Sequence, residues 1–276
     1  MPKELTPEQV AQYERDGFLS PVTIMSPDEA GAFRKTLEAA EAKWPDALQG
    51  ADRNNAHLNL TVLDELVHHS RLLDAVEDLI GPDLLVYGTV LFIKEPGDPG
   101  FVSWHQDATY MGLEPHDGVT AWLALSPSNR ESGCMRMVPG SHKDDIRAHD
   151  DTFGETNILT RGQTIGDVDE TEVVNLVLEP GQLSFHHMRV IHSSQPNLSD
   201  DRRIGFVIQC YMPPHMRQTL GKTFVQVARG TDGAGNFPYV QRPSADMQDA
   251  DVAMRDQVNA LWSDILYNGA DRRRDY

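Results

Sequence analysis

A histidine and a carboxylate stand two positions apart in the segment 102–110, as His105 and Asp107. The segment is predicted to be extended, and residues i and i+2 of a strand share one face. Both side chains would then point to one place, as two of the three ligands in a two-histidine, one-carboxylate metal centre. A single His-x-Asp pattern is more often incidental than metal-binding, so the prediction depends on a second histidine.

His186 and His192 are the best candidates for that second histidine. If residues 182–191 form one strand that rises about 3.3 Å per residue, these two histidines lie roughly 20 Å apart, and only one of them can bind the ion. A turn-rich stretch follows His192, and Arg203 starts the next predicted strand. As neighbouring strands of a hairpin, the two segments would bring Arg203 beside the metal, which favours His192.

Helices and strands are predicted in different parts of the chain. The part from 1 to about 82 is mostly helical, with helix starts at Thr6-Pro7 and Ser26-Pro27 and further helices at 60–69 and 71–80, the last capped by Ser70. Short strands follow, separated by Pro, Gly, Asn, Asp and Ser: they are predicted at 84–93, 102–110, 120–125, 135–138, 172–178, 182–191 and 204–212. A last helix is predicted at about 246–268. This order favours an α+β fold whose strands form a sandwich or barrel.

The composition indicates a globular protein with a large acidic excess. Its 276 residues are 39% hydrophobic, which is enough for one sizeable core, and a single domain over 1–276 is expected. Lys+Arg 24 and Asp+Glu 42 give 24 − 42 = −18, a charge that repels nucleic acid and anionic lipid. The sequence has two cysteines, no signal-peptide pattern and no apolar run of about 20 residues, so we expect a cytoplasmic protein. The oligomeric state is left open, with a homodimer as one alternative.

Several motifs occur in order between about Leu84 and Pro213. They are Trp104-His105-Gln106-Asp107, Thr120-Ala121-Trp122, the run 133–142, Glu179-Pro180-Gly181, and His192-x-Ser194-x-x-Asn197-x-Ser199 followed by Arg203 eleven positions after His192. In combination these motifs resemble the phytanoyl-CoA dioxygenase family of iron(II)- and 2-oxoglutarate-dependent oxygenases.

The resemblance implies a double-stranded β-helix, the cupin-like jelly-roll, as a core at about 84–213 with helices outside it. It also implies that His105, Asp107 and His192 bind iron(II), leaving positions for 2-oxoglutarate and O2. Arg203 would bind the far carboxylate of 2-oxoglutarate with help from Ser194, and Trp122 would line that pocket. Arg202 would replace Arg203 if the strand were shifted by one residue. Because Asp107 keeps the carboxylate that related halogenases lack, hydroxylation is the expected reaction, with no catalytic residue beyond the metal site.

The sequence says least about the identity of the substrate. A small polar molecule is expected, and similar small bacterial family members suggest an aminoethylphosphonate or its N-methylated form. Arg53, Asn54 and Asn55 form a polar cluster suited to an anionic group, while Tyr110 and Gln209 are further candidate contacts. Lys94 is expected to be a surface or structural lysine. The acidic segment 143–170 is a candidate lid, or else a surface excursion without a role.

Other functions stay open at this stage. An amino acid or a betaine could replace the phosphonate as substrate. From a different class, a non-catalytic jelly-roll binding protein would be expected to lose a metal ligand or the arginine. A zinc hydrolase could use two histidines and an aspartate but would have no use for Arg203.

Overall fold

The computed structural model describes residues 2–274, and its N-terminal part is helical as predicted. Its helices are α1 (Pro7–Asp16), α2 (Pro27–Lys43), α3 (Thr61–Val67) and α4 (Ser70–Ile80). The Thr6 and Ser26 side chains each accept a hydrogen bond from the backbone N–H of the third helical residue, and the side chains of these third residues, Gln9 and Glu29, accept one from the backbone N–H of the cap. The expected cap at Ser70 is wrong by one residue, since His69 is the N-cap and Ser70 begins α4.

Ten of the fourteen strands in residues 2–274 form two antiparallel sheets that face each other. The strands are β1 (Phe18–Thr23), β2 (Leu84–Lys94), β3 (Val102–His105), β4 (Leu113–Glu114), β5 (Val119–Ala124), β6 (Met135–Met137), β7 (Asp150–Asp151), β8 (Gln163–Thr164), β9 (Val174–Leu176), β10 (Gln182–His187), β11 (His192–Ser194), β12 (Arg203–Met212), β13 (Arg217–Gln218) and β14 (Gln226–Arg229). The other four strands form the two-stranded sheets β13-β4 and β7-β8. The large sheet has the order β1-β10-β5-β12-β2-β14, and the small sheet has the order β3-β11-β6-β9. This is the predicted jelly-roll within an α+β fold. The large sheet also takes β1 and β14 from outside the predicted core at 84–213.

The two faces of the large sheet have different partners. On β5 and β10, Leu123 and Phe185 belong to the core beneath α2, α3 and α4, whereas Trp122 packs with residues of the small sheet. Burial of each such side chain contributes roughly 1.5–3 kcal/mol. On the inner face, a Cβ atom at Gly205 would lie 2.1 Å from the Trp122 ring. Glycine there lets the indole lie flat against β12.

Two predicted strands end earlier than expected. Residues 102–110 are not one strand: β3 ends at His105, Asp107 has helical φ and ψ angles, and the short helix α5 (Ala108–Met111) follows. Residues 182–191 are not one strand either, since β10 ends at His187 and the chain crosses to the small sheet before β11. Neither strand end is marked by a glycine or a proline, so the sequence pattern did not reveal where these strands end.

The C-terminal helix α6 (Asp249–Leu266) closes one end of the jelly-roll. Its inward side buries Val258, Trp262 and Ile265. The segment 143–170 contains the paired strands β7 and β8. In the chain from residue 2 to residue 274, no helix is both long and apolar enough to cross a membrane.

Candidate metal and cosubstrate site

His105, Asp107 and His192 come together inside the jelly-roll as predicted. One potential ligand atom from each lies within 4.8 Å of the others, and all three side chains are buried. His105 Nε2 is 3.5 Å and His192 Nε2 is 3.9 Å from Asp107 Oδ1. Two imidazole nitrogens and one carboxylate oxygen on one side of an ion are the donor set of non-heme iron(II) oxygenases, so these residues fit the metal that the motifs imply.

Strand pairing and a helical turn together position the three ligands. Antiparallel pairing of β3 with β11 sets His105 directly opposite His192. The predicted reason for the approach of Asp107 is wrong, because Asp107 is not on the same strand face as His105. Instead, the Gln106 side chain donates a hydrogen bond to the Arg189 carbonyl and accepts one from the Arg147 amide. The helical backbone of Asp107 then turns the Asp107 carboxylate back toward His105.

Hydrogen bonds assign the histidine tautomers. The Nδ1 atom of His105 lies 2.8 Å from the Ser103 carbonyl oxygen, and that of His192 lies 3.0 Å from the Val190 carbonyl oxygen. Because a carbonyl only accepts, each Nδ1 must donate, and each Nε2 keeps a lone pair for a metal. Burial also lowers the pKa of His192 well below its ordinary value, which favours this neutral form.

Asp107 is held as a carboxylate by its neighbours. Burial acts to raise the pKa of Asp107, but the imidazoles of His105, His186 and His192 around its carboxylate outweigh burial and place that pKa well below its ordinary value. The Tyr110 hydroxyl donates to Oδ1 at 3.2 Å, and the Thr120 hydroxyl donates to Oδ2 at 3.4 Å. Two imidazoles and one carboxylate give a site suited to a divalent cation.

The predicted distance of roughly 20 Å between His186 and His192 is wrong. Their ring centroids are 4.7 Å apart, because β10 ends at His187 and the chain turns back into the small sheet. His186 is buried with its Nε2 3.5 Å from Asp107 Oδ2. Strand alternation could have found it, since Leu183 and Phe185 face the helices and His186 therefore faces the interior.

Arg203 lies inside the same cavity, and Arg202 lies outside. The guanidinium of Arg203 is 1% exposed, donates to the Gly133 carbonyl, leaves Nε without a partner, and stands over the Trp122 ring. Arg202 binds Glu41 and Glu95 at the surface. The hairpin argument for Arg203 is wrong, because β11 and β12 belong to different sheets that face one another. Among residues 2–274 no carboxylate lies within salt-bridge distance of Arg203, so its buried charge fits an anionic cosubstrate.

Lys94 is buried, so of the two expected roles the surface one is wrong and the structural one remains. Its Nζ donates to Ser194 Oγ at 2.9 Å and to the Gln195 carbonyl. Lys94 is also the residue paired with Arg203 across β2 and β12. Only this long-range pairing reveals its position.

A cavity of about 360 Å³ joins the metal ligands to the predicted substrate residues. Arg53, Asn54, Tyr110 and Gln209 line it together with Trp122, Ser194 and Arg203. Asn55 does not line it. The Asn55 side chain instead bonds to Asn259 and to the Thr89 amide, so its amide group links the backbone of β2 to α6.

The candidate lid contributes directly to the cavity wall. Residues 158–160 line the cavity opposite the end of α6. The Tyr267 hydroxyl donates to the Thr160 carbonyl at 3.2 Å, and Arg161 donates to the Leu266 and Asn268 carbonyls. These bonds tie the segment 143–170 to the C-terminal helix, and its opening and closing stay a prediction.

Similarity to known proteins covers most of the chain. A family model described as Phytanoyl-CoA dioxygenase (PhyH) matches residues 13–205. The chain is 33% identical to the human peroxisomal phytanoyl-CoA dioxygenase over 223 residues, which cover 70% of this chain and 64% of that protein. It is 30% identical over 152 residues to a probable alpha-ketoglutarate-dependent hypophosphite dioxygenase of Stutzerimonas stutzeri, covering 54% of this chain and about half, 52%, of that relative.

Solved structures agree with this family. A non-heme monooxygenase, ThoJ in its apo form, is similar with a TM-score of 0.83 and 32% identity, covering 96% of this chain and 100% of that one. CytC3 with Fe(II) and alpha-ketoglutarate is similar with a TM-score of 0.65 and 25% identity, covering 86% of this chain and 93% of that one. The predicted jelly-roll fold and the predicted iron(II), 2-oxoglutarate and O2 cofactors are confirmed. The chain belongs to the phytanoyl-CoA dioxygenase family of iron(II)- and 2-oxoglutarate-dependent oxygenases.

Proposed function

We propose that the protein hydroxylates a C–H bond in a small anionic molecule, consuming one O2 and one 2-oxoglutarate in each turnover. The observation that carries this proposal is the joint placement of a buried His-Asp-His cluster and the buried, carboxylate-free Arg203 in one cavity. Bound iron(II) and 2-oxoglutarate supply the oxidising power: one oxygen atom of O2 enters the product hydroxyl, the other enters succinate, and CO2 is released.

Each part of the protein has a separate task in this proposal. His105, Asp107 and His192 hold the metal, while Tyr110 and Thr120 fix the Asp107 carboxylate by hydrogen bonds. Arg203 and Ser194 hold the far carboxylate of 2-oxoglutarate, and Trp122 forms the wall beside it. The low exposure of all these groups excludes bulk water, which strengthens every charge interaction within the site.

An anionic group on the substrate is supported by Arg53. Its guanidinium lines the cavity and donates to the Leu48 carbonyl at 3.0 Å and, more weakly, to the Ile93 carbonyl. Within the described chain no carboxylate lies within salt-bridge distance of Arg53, since its neighbour Arg202 binds Glu41. In a protein of net charge −18, a half-buried arginine without an acidic partner is best explained by an anionic ligand.

A phosphonate is our candidate for that anionic molecule. A phosphonate group suits the donors of Arg53 and Asn54, and the aromatic faces of Tyr110, Trp262 and Tyr267 in the same wall suit an N-methylated ammonium group. The similarity to a protein named as a hypophosphite dioxygenase favours a phosphorus oxyanion. A cavity of about 360 Å³ is at the small end of ligand pockets, which argues against a long acyl-CoA.

A screen for succinate formation tests the substrate. The iron-loaded protein is incubated with 2-oxoglutarate and, separately, with aminoethylphosphonate, its N-methylated forms, betaines, amino acids and acyl-CoAs. We expect succinate above background with a phosphonate, together with a product that has gained one oxygen atom. Turnover confined to amino acids, betaines or acyl-CoAs would remove the phosphonate proposal. A non-catalytic binding protein would give background succinate with every compound.

We also propose a cytoplasmic protein whose partner is this small molecule. Both cysteines, Cys134 and Cys210, are free and buried, as is usual in a reducing compartment. The net charge of −18 disfavours nucleic acid and anionic membranes as partners. Cell fractionation tests the location, and sedimentation measures whether the protein forms a homodimer.

A further inference from the structure

Two buried basic side chains stand side by side where Arg203 lines the cavity. Lys94 is the last residue of β2 and pairs in register with Arg203 of β12. Side chains at such directly opposed positions have Cβ atoms about 4.5–5.5 Å apart. Lys94 is 0% and Arg203 is 1% exposed, and within residues 2–274 neither has a carboxylate within salt-bridge distance. Two unbalanced positive charges in a protein interior are costly unless an anion joins them.

The hydrogen bonds of Lys94 determine how Ser194 can act. Lys94 Nζ donates to Ser194 Oγ at 2.9 Å and to the Gln195 carbonyl. In its ammonium form Lys94 can only donate, and Ser194 then uses a lone pair in this contact. Its own hydroxyl proton then remains available for another acceptor, and Ser194 lines the cavity.

We propose that Lys94 is a third residue of the site for the far carboxylate of 2-oxoglutarate, where it adds a second positive charge beside Arg203 and fixes Ser194 as a hydrogen-bond donor. This inference rests on the proposed function, in which Arg203 and Ser194 bind that carboxylate. It assigns Lys94 a positioning role, since the nearest group on which it acts is the Ser194 hydroxyl.

The ionisation of Lys94 agrees with this geometry. Burial, and then the charge of Arg203, lower the pKa of Lys94 to about 6. The other titratable groups that act on Lys94 are Asp98 and Cys134, and both favour its charged form. A carboxylate arriving beside Arg203 would favour the ammonium form of Lys94 much more strongly than these distant groups do.

The competing explanation is that Lys94 only ties β2 to the segment that follows β11. A purely structural lysine would affect the stability of the fold and would treat all 2-oxo acids alike. A residue of the carboxylate site would instead distinguish 2-oxoglutarate from 2-oxopentanoate, which lacks the far carboxylate. The distinction can therefore be measured as a change in selectivity.

The test compares Lys94→Met with the wild-type protein. Affinities for 2-oxoglutarate and 2-oxopentanoate are measured by titration of the iron(II)-loaded protein without oxygen, and thermal unfolding is recorded in parallel. We expect the Kd of 2-oxoglutarate to rise roughly 10–100-fold, the range for lost hydrogen bonds to a charged group, with 2-oxopentanoate changed by less than about threefold. Lys222→Met, which removes an exposed lysine, should leave both affinities unchanged.

Lys94→Gln covers the case in which the methionine variant does not fold, because glutamine keeps a donor for Ser194 but not the charge. We expect it to weaken 2-oxoglutarate binding by an intermediate amount. Equal weakening of the binding of both 2-oxo acids, or a lower Tm with unchanged selectivity between them, would show that Lys94 is structural. Failure of the wild-type protein to bind 2-oxoglutarate at all would refute the proposed function instead, so the two failures are distinguishable.

Discussion

The two ends of the cavity are built in different ways. The metal and cosubstrate end consists of strand residues from β3, β5, β11 and β12 together with Asp107 at the start of α5, and its charges are buried and mostly held by hydrogen bonds. The opposite end consists of the turn at 50–54, the loop at 158–160 and the end of α6. The first end is rigidly framed by two sheets, whereas the second is assembled from connecting segments and a helix end. This difference separates the chemistry from the choice of substrate, because loops can vary while the sheets remain.

The largest effect is expected from Asp107→Ala, which removes the anionic ligand at the sheet-built end. Mutation of a residue that only supports a metal ligand lowers metal affinity or activity about 10–100-fold. Loss of a direct ligand should therefore lower succinate formation by more than about 100-fold. The measurement is initial rate together with bound iron per protein. Asp117→Ala, at an exposed aspartate, is the matched control and should retain both. Normal succinate formation by Asp107→Ala would contradict the ligand assignment.

Arg203→Lys should have the next largest effect. Lysine keeps the charge but loses the planar fork that binds a carboxylate through two hydrogen bonds, so KM for 2-oxoglutarate should rise roughly 10–100-fold. The KM for the organic substrate should change little. Arg202→Lys at the surface serves as control, and a larger effect from that variant would mean that the other arginine binds the cosubstrate.

Arg53→Gln tests the end of the cavity that is built from loops, and it should affect the organic substrate rather than 2-oxoglutarate. Loss of one partly solvated charge should raise KM for an anionic substrate about tenfold, with the Kd of 2-oxoglutarate unchanged. Arg130→Gln, at an exposed arginine, is the control. If Arg53→Gln weakened the binding of 2-oxoglutarate and left substrate binding unchanged, 2-oxoglutarate would have to be assigned to the loop-built end and the substrate to the other end.

The smallest effect is a pH dependence of 2-oxoglutarate binding through Lys94. Burial, and then Arg203, lower the pKa of Lys94 to about 6 in the free protein, and a bound carboxylate would raise it. Binding then takes up a proton, so the contribution of Lys94 is complete below pH 6 and declines as the pH rises. The KM for 2-oxoglutarate should increase several-fold between pH 6 and about pH 8 in the wild type. A curve equally steep in Lys94→Met would show that another group titrates.

The sequence predicted the ligands of the site better than the geometry that brings them together. The identities of His105, Asp107, His192 and Arg203 follow from residue types in order along the chain, and the structure places all four around one cavity. The predicted extended backbone at Asp107 is wrong, because the turn there is stabilised by contacts of Gln106 with Arg189 and Arg147 that no local pattern encodes.

Residues that depend on long-range pairing were beyond sequence reasoning. Lys94 meets Ser194 across 100 positions of sequence, a contact that no local pattern encodes. The substrate end was predicted in part: Arg53 and Asn54 line the cavity, but the Asn55 side chain accepts a hydrogen bond from the backbone of β2. Three adjacent polar residues look alike in sequence, and only the left-handed conformation of Asn55 turns its side chain away from the others.

Anaerobic titration of the wild-type protein with iron(II) and 2-oxoglutarate tests the central claim most directly. If His105, Asp107 and His192 hold iron beside a 2-oxoglutarate anchored by Arg203, the mixture should develop a weak visible charge-transfer band. The band should require both additions. Absence of any band in the folded wild-type protein, with succinate at background for every substrate tested, would contradict the account.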